Sequence, residues 1–143
     1  MRWVLVLLAL AGVIVASLAL RERYNTGTSP CSINAKWDCG VVNHSEYAVF
    51  HGIPVAAIGI GGYLLLGVLA LRRAYKAVLV AAIGGLAFSL YLTHIEASIL
   101  GVWCVYCVSS LAVISLITLL SLTAVLVQVF RRPLQAPASP AGH

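Results

Sequence analysis

The sequence predicts an all-α integral membrane protein: a four-transmembrane-helix bundle with a cysteine-bearing outer loop and a short interfacial helix between helices 1 and 2. Three observations predict it. Hydrophobic residues make up 62% of the 143 and charged residues 9%, with a mean hydropathy of +1.01, whereas soluble domains carry about 25% charged residues. Four stretches, about 3–20, 53–71, 77–93 and 102–130, are long and apolar enough to cross a bilayer. No stretch of comparable length alternates polar and apolar as a membrane barrel requires, which leaves helices as the way to satisfy backbone groups in lipid. The length fits one domain and leaves no room for a separate soluble catalytic domain.

The first span, Trp3 to Leu20, competes with a cleaved signal peptide, because Met1-Arg2 precedes an apolar stretch ending Ala16-Ser17-Leu18-Ala19. Its apolar run is longer than a usual signal core, and removing it would leave three spans, so it is read as helix 1. The polar stretch Arg21 to His51 follows, opening with the turn-forming Asn25-Thr26-Gly27-Thr28-Ser29-Pro30. Asn43 to Phe50 begins with cap-type residues and is expected to form the interfacial helix, with Asn43 or Ser45 near its start. Helix 2 opens with Gly52-Ile53-Pro54, where proline is tolerated because a first-turn amide has no helical partner. The later loops are short, 72–76 and 94–101. Residues 1–132 form the membrane domain, and 133–143, rich in proline and alanine, are expected to be a disordered tail. Gly12 with Ala16, Ala57 with Gly61, Ala81 with Gly85 and Gly85 with Ser89 are small-residue pairs of the kind that let membrane helices approach closely.

Charge sets the orientation. With both termini cytoplasmic, the inner segments hold Arg2, Arg72, Arg73, Lys76, Arg131 and Arg132, and the outer ones only Arg21, Arg23 and Lys36. All four acids, Glu22, Asp38, Glu46 and Glu96, fall outside. The net charge of +5 is thus mostly orientation and argues against a nucleic-acid patch.

The four cysteines fall on that outer side: Cys31 and Cys39 in the loop, Cys104 and Cys107 as Cys-Val-Tyr-Cys at the start of the last span. Seven intervening residues let the loop pair close a disulfide, which a structural bridge would also explain. A CxxC is shared by redox sites and zinc sites. At the outer end of a helix, first-turn amides favour a thiolate, the species that attacks disulfides. A bridge one turn long adds little as a staple, so the CxxC reads as redox-active. A loop pair beside a membrane pair suits a two-stage relay through a mixed disulfide, ending on a two-electron acceptor in the lipid, for which a quinone is the candidate. A four-thiolate zinc site and inert structural bridges are the alternatives outside redox chemistry; no metal is expected, since the loop gap exceeds usual zinc spacing and the outer face is oxidising.

These residues reach a known pattern. Two loop cysteines seven residues apart, Ser45 six residues after the second, Gly52-Ile53-Pro54-Val55 opening helix 2, and Cys104-Val-Tyr-Cys107 at the last of four helices resemble the vitamin K epoxide reductase family, closest to its bacterial homologues, over about residues 1 to 130. The resemblance implies that Cys107 faces the quinone, that Cys104 exchanges with Cys39, and that Cys31 meets the dithiol of a thioredoxin-like or DsbA-like partner. It also implies that Ser45 helps to position the loop cysteines. Leu111 stands where animal members have a tyrosine lining the quinone pocket, and the asparagine that holds a quinone carbonyl in those members has no match near Gly52 to Ala56. Both departures bear on epoxide reduction and on warfarin-type inhibition, not on reduction of a plain quinone such as ubiquinone, menaquinone or phylloquinone. Many bacterial members carry a fused thioredoxin-like domain; here eleven residues follow Arg132, and the partner is expected to be a separate chain. The implied function is disulfide formation outside the cytoplasm, at a bacterial inner membrane. DsbB-like oxidases, the neighbouring alternative, place CxxC in the first outer loop and the wider pair in the second, the reverse of this order.

Phe50, Tyr63, Tyr91 and Tyr106 are candidates to line the quinone pocket, with membrane anchoring as their other role. His94 and Glu96, near the outer end of helix 3, either supply the protons that quinone reduction consumes or sit in the wet interface. Trp37 and Trp103, each close to a cysteine, either dip into lipid or cover the site.

Overall fold

The computed structural model describes residues 1–24 and 36–135. In chain order its elements are α1 (Arg2–Tyr24), α2 (Cys39–His44), a 3₁₀ turn (Glu46–Ala48), β1 (Val49–Phe50), β2 (Ile53–Pro54), α3 (Val55–Leu71), α4 (Tyr75–Ile95) continued by a π turn (Glu96–Leu100), and α5 (Val105–Gln135). α1, α4 with its continuation, and α5 are long and apolar enough to cross a membrane; α3 is apolar but shorter, at 17 residues. The chain is thus mostly helical, as an all-α membrane protein requires, and Cys39, Cys104, Cys107 and the hairpin gather at one end of the bundle.

Small residues set the helix spacing. Gly12 of α1 lies under the ring of Tyr63 of α3, so closely that a Cβ there would overlap the ring. A Cβ added at Gly59 would meet Ala16 at 3.5 Å, and one at Gly67 would meet Ala9 at 3.6 Å. On the far side of the bundle a Cβ at Gly85 would meet Ile114 at 3.3 Å, whereas Gly61 faces open space. The predicted small-residue pairs therefore mark contacts at Gly12, Ala16 and Gly85 but not at Gly61. Leu5, Ala9, Leu66, Ala70, Val78, Ala82 and Ile117 fill the core between these approaches. Leu7, Ile14, Val80, Leu119 and Phe130 stay exposed, as side chains facing acyl chains do. Hydroxyls in the spans bond back to their own helices: Ser17 to Val13 O, Thr93 to Ser89 O, Thr118 to Ile114 O and Ser121 to Ile117 O, at 2.7 to 2.8 Å. None of these then enters the apolar interior unsatisfied.

The helix ends differ from the sequence-based expectation in ways that matter for the site. The short helix begins at Cys39, four residues before Asn43. Asp38 caps it, its Oδ1 accepting the amides of Gly40 at 3.0 Å and Val41 at 3.3 Å. An acid three residues before a pair of apolar positions carries that signal, but the stretch is too short for periodicity to reveal. Ser45 closes this helix, and its hydroxyl donates to Val42 O at 2.7 Å. β1 and β2 then form a hairpin with Phe50 opposite Ile53. Its two-residue loop, His51 at φ 50° and Gly52 at φ 81°, takes the left-handed pair that such loops require. Pro54 precedes α3 as its N-cap. The last helix begins at Val105, and Cys104 is its cap residue, the Cys104 carbonyl accepting Val108 N–H at 3.0 Å. α5 continues through Pro133 to Gln135; the remainder of the predicted tail lies outside the described residues.

Candidate functional site

Three chain segments converge on the cysteines. Lys36 to Asp38 runs beside Trp103 as a parallel bridge: Trp103 N–H donates to Lys36 O at 2.6 Å, and Asp38 N–H donates to Trp103 O at 3.0 Å. The indoles of Trp37 and Trp103 face each other across it, 6.3 Å between centroids and tilted by 34°. Each tryptophan therefore meets the other. Just past this bridge, at the same end of both segments, stand Cys39 and Cys104, both fully buried, in one cluster with Val42. Leu100, Val102, Val105, Tyr106 and Cys107 pack around them. Cys39 is disulfide-bonded; Cys31 lies outside the described residues. Cys104 and Cys107 are both thiols.

Cys104 occupies the N-cap of α5, where a side chain normally accepts first-turn amides, and its sulfur takes that role. The hydrogen bond from the Cys107 thiol, supplemented by the backbone amides of Cys107 and Tyr106, holds the Cys104 thiol below its usual range, against the opposing pull of burial and of the Glu96 carboxylate. Of the two sulfurs, Cys104 is thereby the one better placed to carry negative charge. The CxxC is thus a cap residue and a first-turn residue, rather than two positions within a helix.

Glu96 completes the group. It begins the π turn at the end of α4, a distortion that often marks functional positions. Gly101, at φ 66°, donates its amide to Glu96 O at 2.8 Å and turns the chain back toward the cysteines. The Glu96 side chain is 2% exposed. Its Oε2 accepts Cys104 N–H at 3.3 Å, and its carboxylate stands beside the Cys104 sulfur as a second acceptor for the one proton of the Cys107 thiol. It is thus buried beside the cysteines, not placed in the wet interface. His94 is exposed and pairs with Ser98 at 3.4 Å.

Cys107 and Glu96 form part of the wall of a cavity of about 120 Å³ between α1, α3, α4 and α5, otherwise mostly apolar, with Val15, Ala19, Val55, Phe88 and Leu92 among its lining residues. Ser45 and Tyr106 also line it. A second cavity of about 290 Å³ shares Gly59, Phe88, Ser89 and Ser110 with the first and continues along the α3–α4 seam, lined there by Tyr63. Tyr63 is buried, and its hydroxyl lies 2.7 Å from Ser110 Oγ and donates to Ser110 O at 2.9 Å. The other candidates lie elsewhere. Phe50 is 53% exposed and stacks edge-on against His51 and Phe88. Tyr91 is 59% exposed, as a lipid-facing side chain would be. Leu111 packs on the bundle core. Sequence reasoning passed over Ser110, one turn beyond Cys107 and at the joint of the two cavities, because a hydroxyl in an apolar helix carries no distinguishing pattern. It also passed over Glu22, 4% exposed near the end of α1, whose Oε2 has no hydrogen-bond partner.

A helical membrane bundle with a buried acid and one thiol of a CxxC pair on an apolar cavity suits lipid-linked redox chemistry. No curated protein matches the chain. The family model for the Vitamin K epoxide reductase family matches residues 3–122, most of the sequence. The chain belongs to the vitamin K epoxide reductase family, a family of membrane oxidoreductases that link thiol and quinone chemistry.

Proposed function

We propose that the protein is a thiol-quinone oxidoreductase that relays electrons from a thioredoxin-like or DsbA-like dithiol through Cys31/Cys39 to Cys104/Cys107 and on to a quinone, sustaining disulfide formation outside the cytoplasm. The observation that carries this reading is the joint burial of Cys39 and Cys104 at one end of the Trp37–Trp103 bridge, with Cys107 one turn further on, at the apolar cavity. In the relay, a partner thiolate attacks the loop disulfide and leaves it as a dithiol. The Cys39 thiolate then attacks Cys104 of a Cys104–Cys107 disulfide, and Cys31 resolves the mixed disulfide. The loop is oxidised again and the helix pair holds two electrons.

The quinone is a substrate in this scheme. The cavity beside Cys107 would take its ring, and the seam between α3 and α4 would give its apolar tail a path to lipid. α3 completes a fourth span: 17 residues rise about 26 Å, near the lower limit for crossing. In this reading residues 1–132 are the membrane domain, both termini are cytoplasmic and the cysteines face outside, which the excess of Arg and Lys in the inner segments supports. Ser45, tied to Val42 O, fixes the end of the helix that bears Cys39.

The test is quinone reduction by a small membrane-permeant dithiol, with wild type compared to Cys107→Ala. The variant is expected to fall to the uncatalysed background. Equal rates would rule out the scheme.

A further inference from the structure

Glu96 is the side chain for which neither helix packing nor the thiol relay accounts. A carboxyl 2% exposed at the end of an apolar helix is costly to bury. Its structural contact, acceptance of Cys104 N–H at 3.3 Å, asks only for an oxygen, which a glutamine would supply at lower cost. What a glutamine lacks is the capacity to take a proton, and the second partner of Glu96 is the Cys107 thiol, which has one to give. Both groups line the same cavity.

We propose that Glu96 is the general base and proton carrier of the quinone-reducing step. This rests on the function proposed above. Glu96 takes the proton from Cys107 as the sulfur bonds to a quinone ring carbon, and passes it to the quinone oxygen. The Cys104 thiolate then attacks Cys107 Sγ; the S–S bond forms, the C–S bond breaks, and its electron pair leaves with the ring, whose second oxygen takes a proton from water. One thiolate, one thiol, one quinone and one proton thus give one disulfide and one quinol. Glu96 ends the cycle ionised, as it began.

The titratable groups around it are few. Arg23 of α1, Tyr47 after α2, and Tyr106 and Cys107 of α5 line the cavity, and Cys104 caps α5. Residues 54–59 at the start of α3 contribute none, and His94 of α4 is exposed. Glu22 of α1 acts electrostatically on Tyr106. Glu96 is the carboxyl among the cavity residues.

The test is Glu96→Gln, which keeps the oxygen for Cys104 N–H, in quinone reduction by a small dithiol across pH, beside wild type and Cys107→Ala. The expected result is a loss of about 10²-fold or more, the usual contribution of a positioned base, together with a displaced acid limb: the inflection that belongs to Glu96 is lost and the one that belongs to the Cys104 thiolate stays. An unchanged rate overturns the proposal. So does a slower rate whose acid limb coincides with that of wild type, since that marks a positioning role. Should Glu96→Gln not accumulate, Glu96→Asp decides: a reduced rate with the acid limb kept supports the proposal, and a wild-type rate overturns it. Activity in Cys107→Ala would overturn the relay itself, while an inactive Cys107→Ala beside a normal Glu96→Gln removes only the role of Glu96.

Discussion

The middle of the bundle and its cysteine end are held together by different forces. In the middle, glycines and alanines bring helices into contact, large apolar side chains face outward, and hydroxyls turn back on their own helices. At the cysteine end the ties are polar and directional: two backbone hydrogen bonds to Trp103, a carboxylate capping α2, a sulfur capping α5, and a carboxylate between the two thiols of the last pair. The first region resists deformation everywhere and reacts nowhere. The second places reactive atoms within reach, because hydrogen bonds fix direction where packing fixes only distance.

The comparison can be broken from either side. Cys39→Ala has the largest expected effect: it abolishes quinone reduction driven by a protein dithiol while leaving reduction by a small permeant dithiol intact, as paired assays on the same membranes would show. Loss of both would mean that the loop and helix pairs do not act in sequence. Gly12→Leu comes next. Its side chain meets the Tyr63 ring, and overpacking of this kind costs about 1–3 kcal/mol. Thermal unfolding in detergent is expected to register that loss, with activity per folded molecule retained; a drop in intrinsic activity would mean that the two regions are coupled. Asp38→Ala has the smallest expected effect on stability, about 1 kcal/mol for a lost N-cap. Its effect is expected to concentrate on protein-dithiol turnover, because the cap sets the helix that starts at Cys39. If dithiol turnover by partner and by small molecule fall together, the cap does not act through Cys39.

Much of the bundle was legible. A span needs only length and apolar composition, so the first, third and fourth long helices were readable within a few residues, and α3 was found by the same pattern. Helix ends were harder. The cap at Asp38 belongs to a six-residue helix with no period to detect, and Cys104 looked helical because CxxC spacing suits a helix face. The cysteines were readable as a group because all four fall in two short windows of the sequence. Glu96 was readable only as one of two options, since sequence does not tell a wet carboxylate from one folded inward by a π turn and a left-handed glycine. The pairing of Trp37 with Trp103 lay beyond reach, because it joins residues 66 apart in the chain.

That pairing gives the protein an intrinsic optical reporter. Of the three tryptophans, Trp3 lies at the far end of α1, while Trp37 is two residues before Cys39 and Trp103 adjoins Cys104. Sulfur quenches indole emission according to its bonding, so a change in the bonding of Cys39 or Cys104 is expected to alter the brightness of this pair. With Trp3 replaced by phenylalanine, the remaining indole emission comes from Trp37 and Trp103 alone, and a fluorimeter could follow the proposed exchange in real time without label or dye.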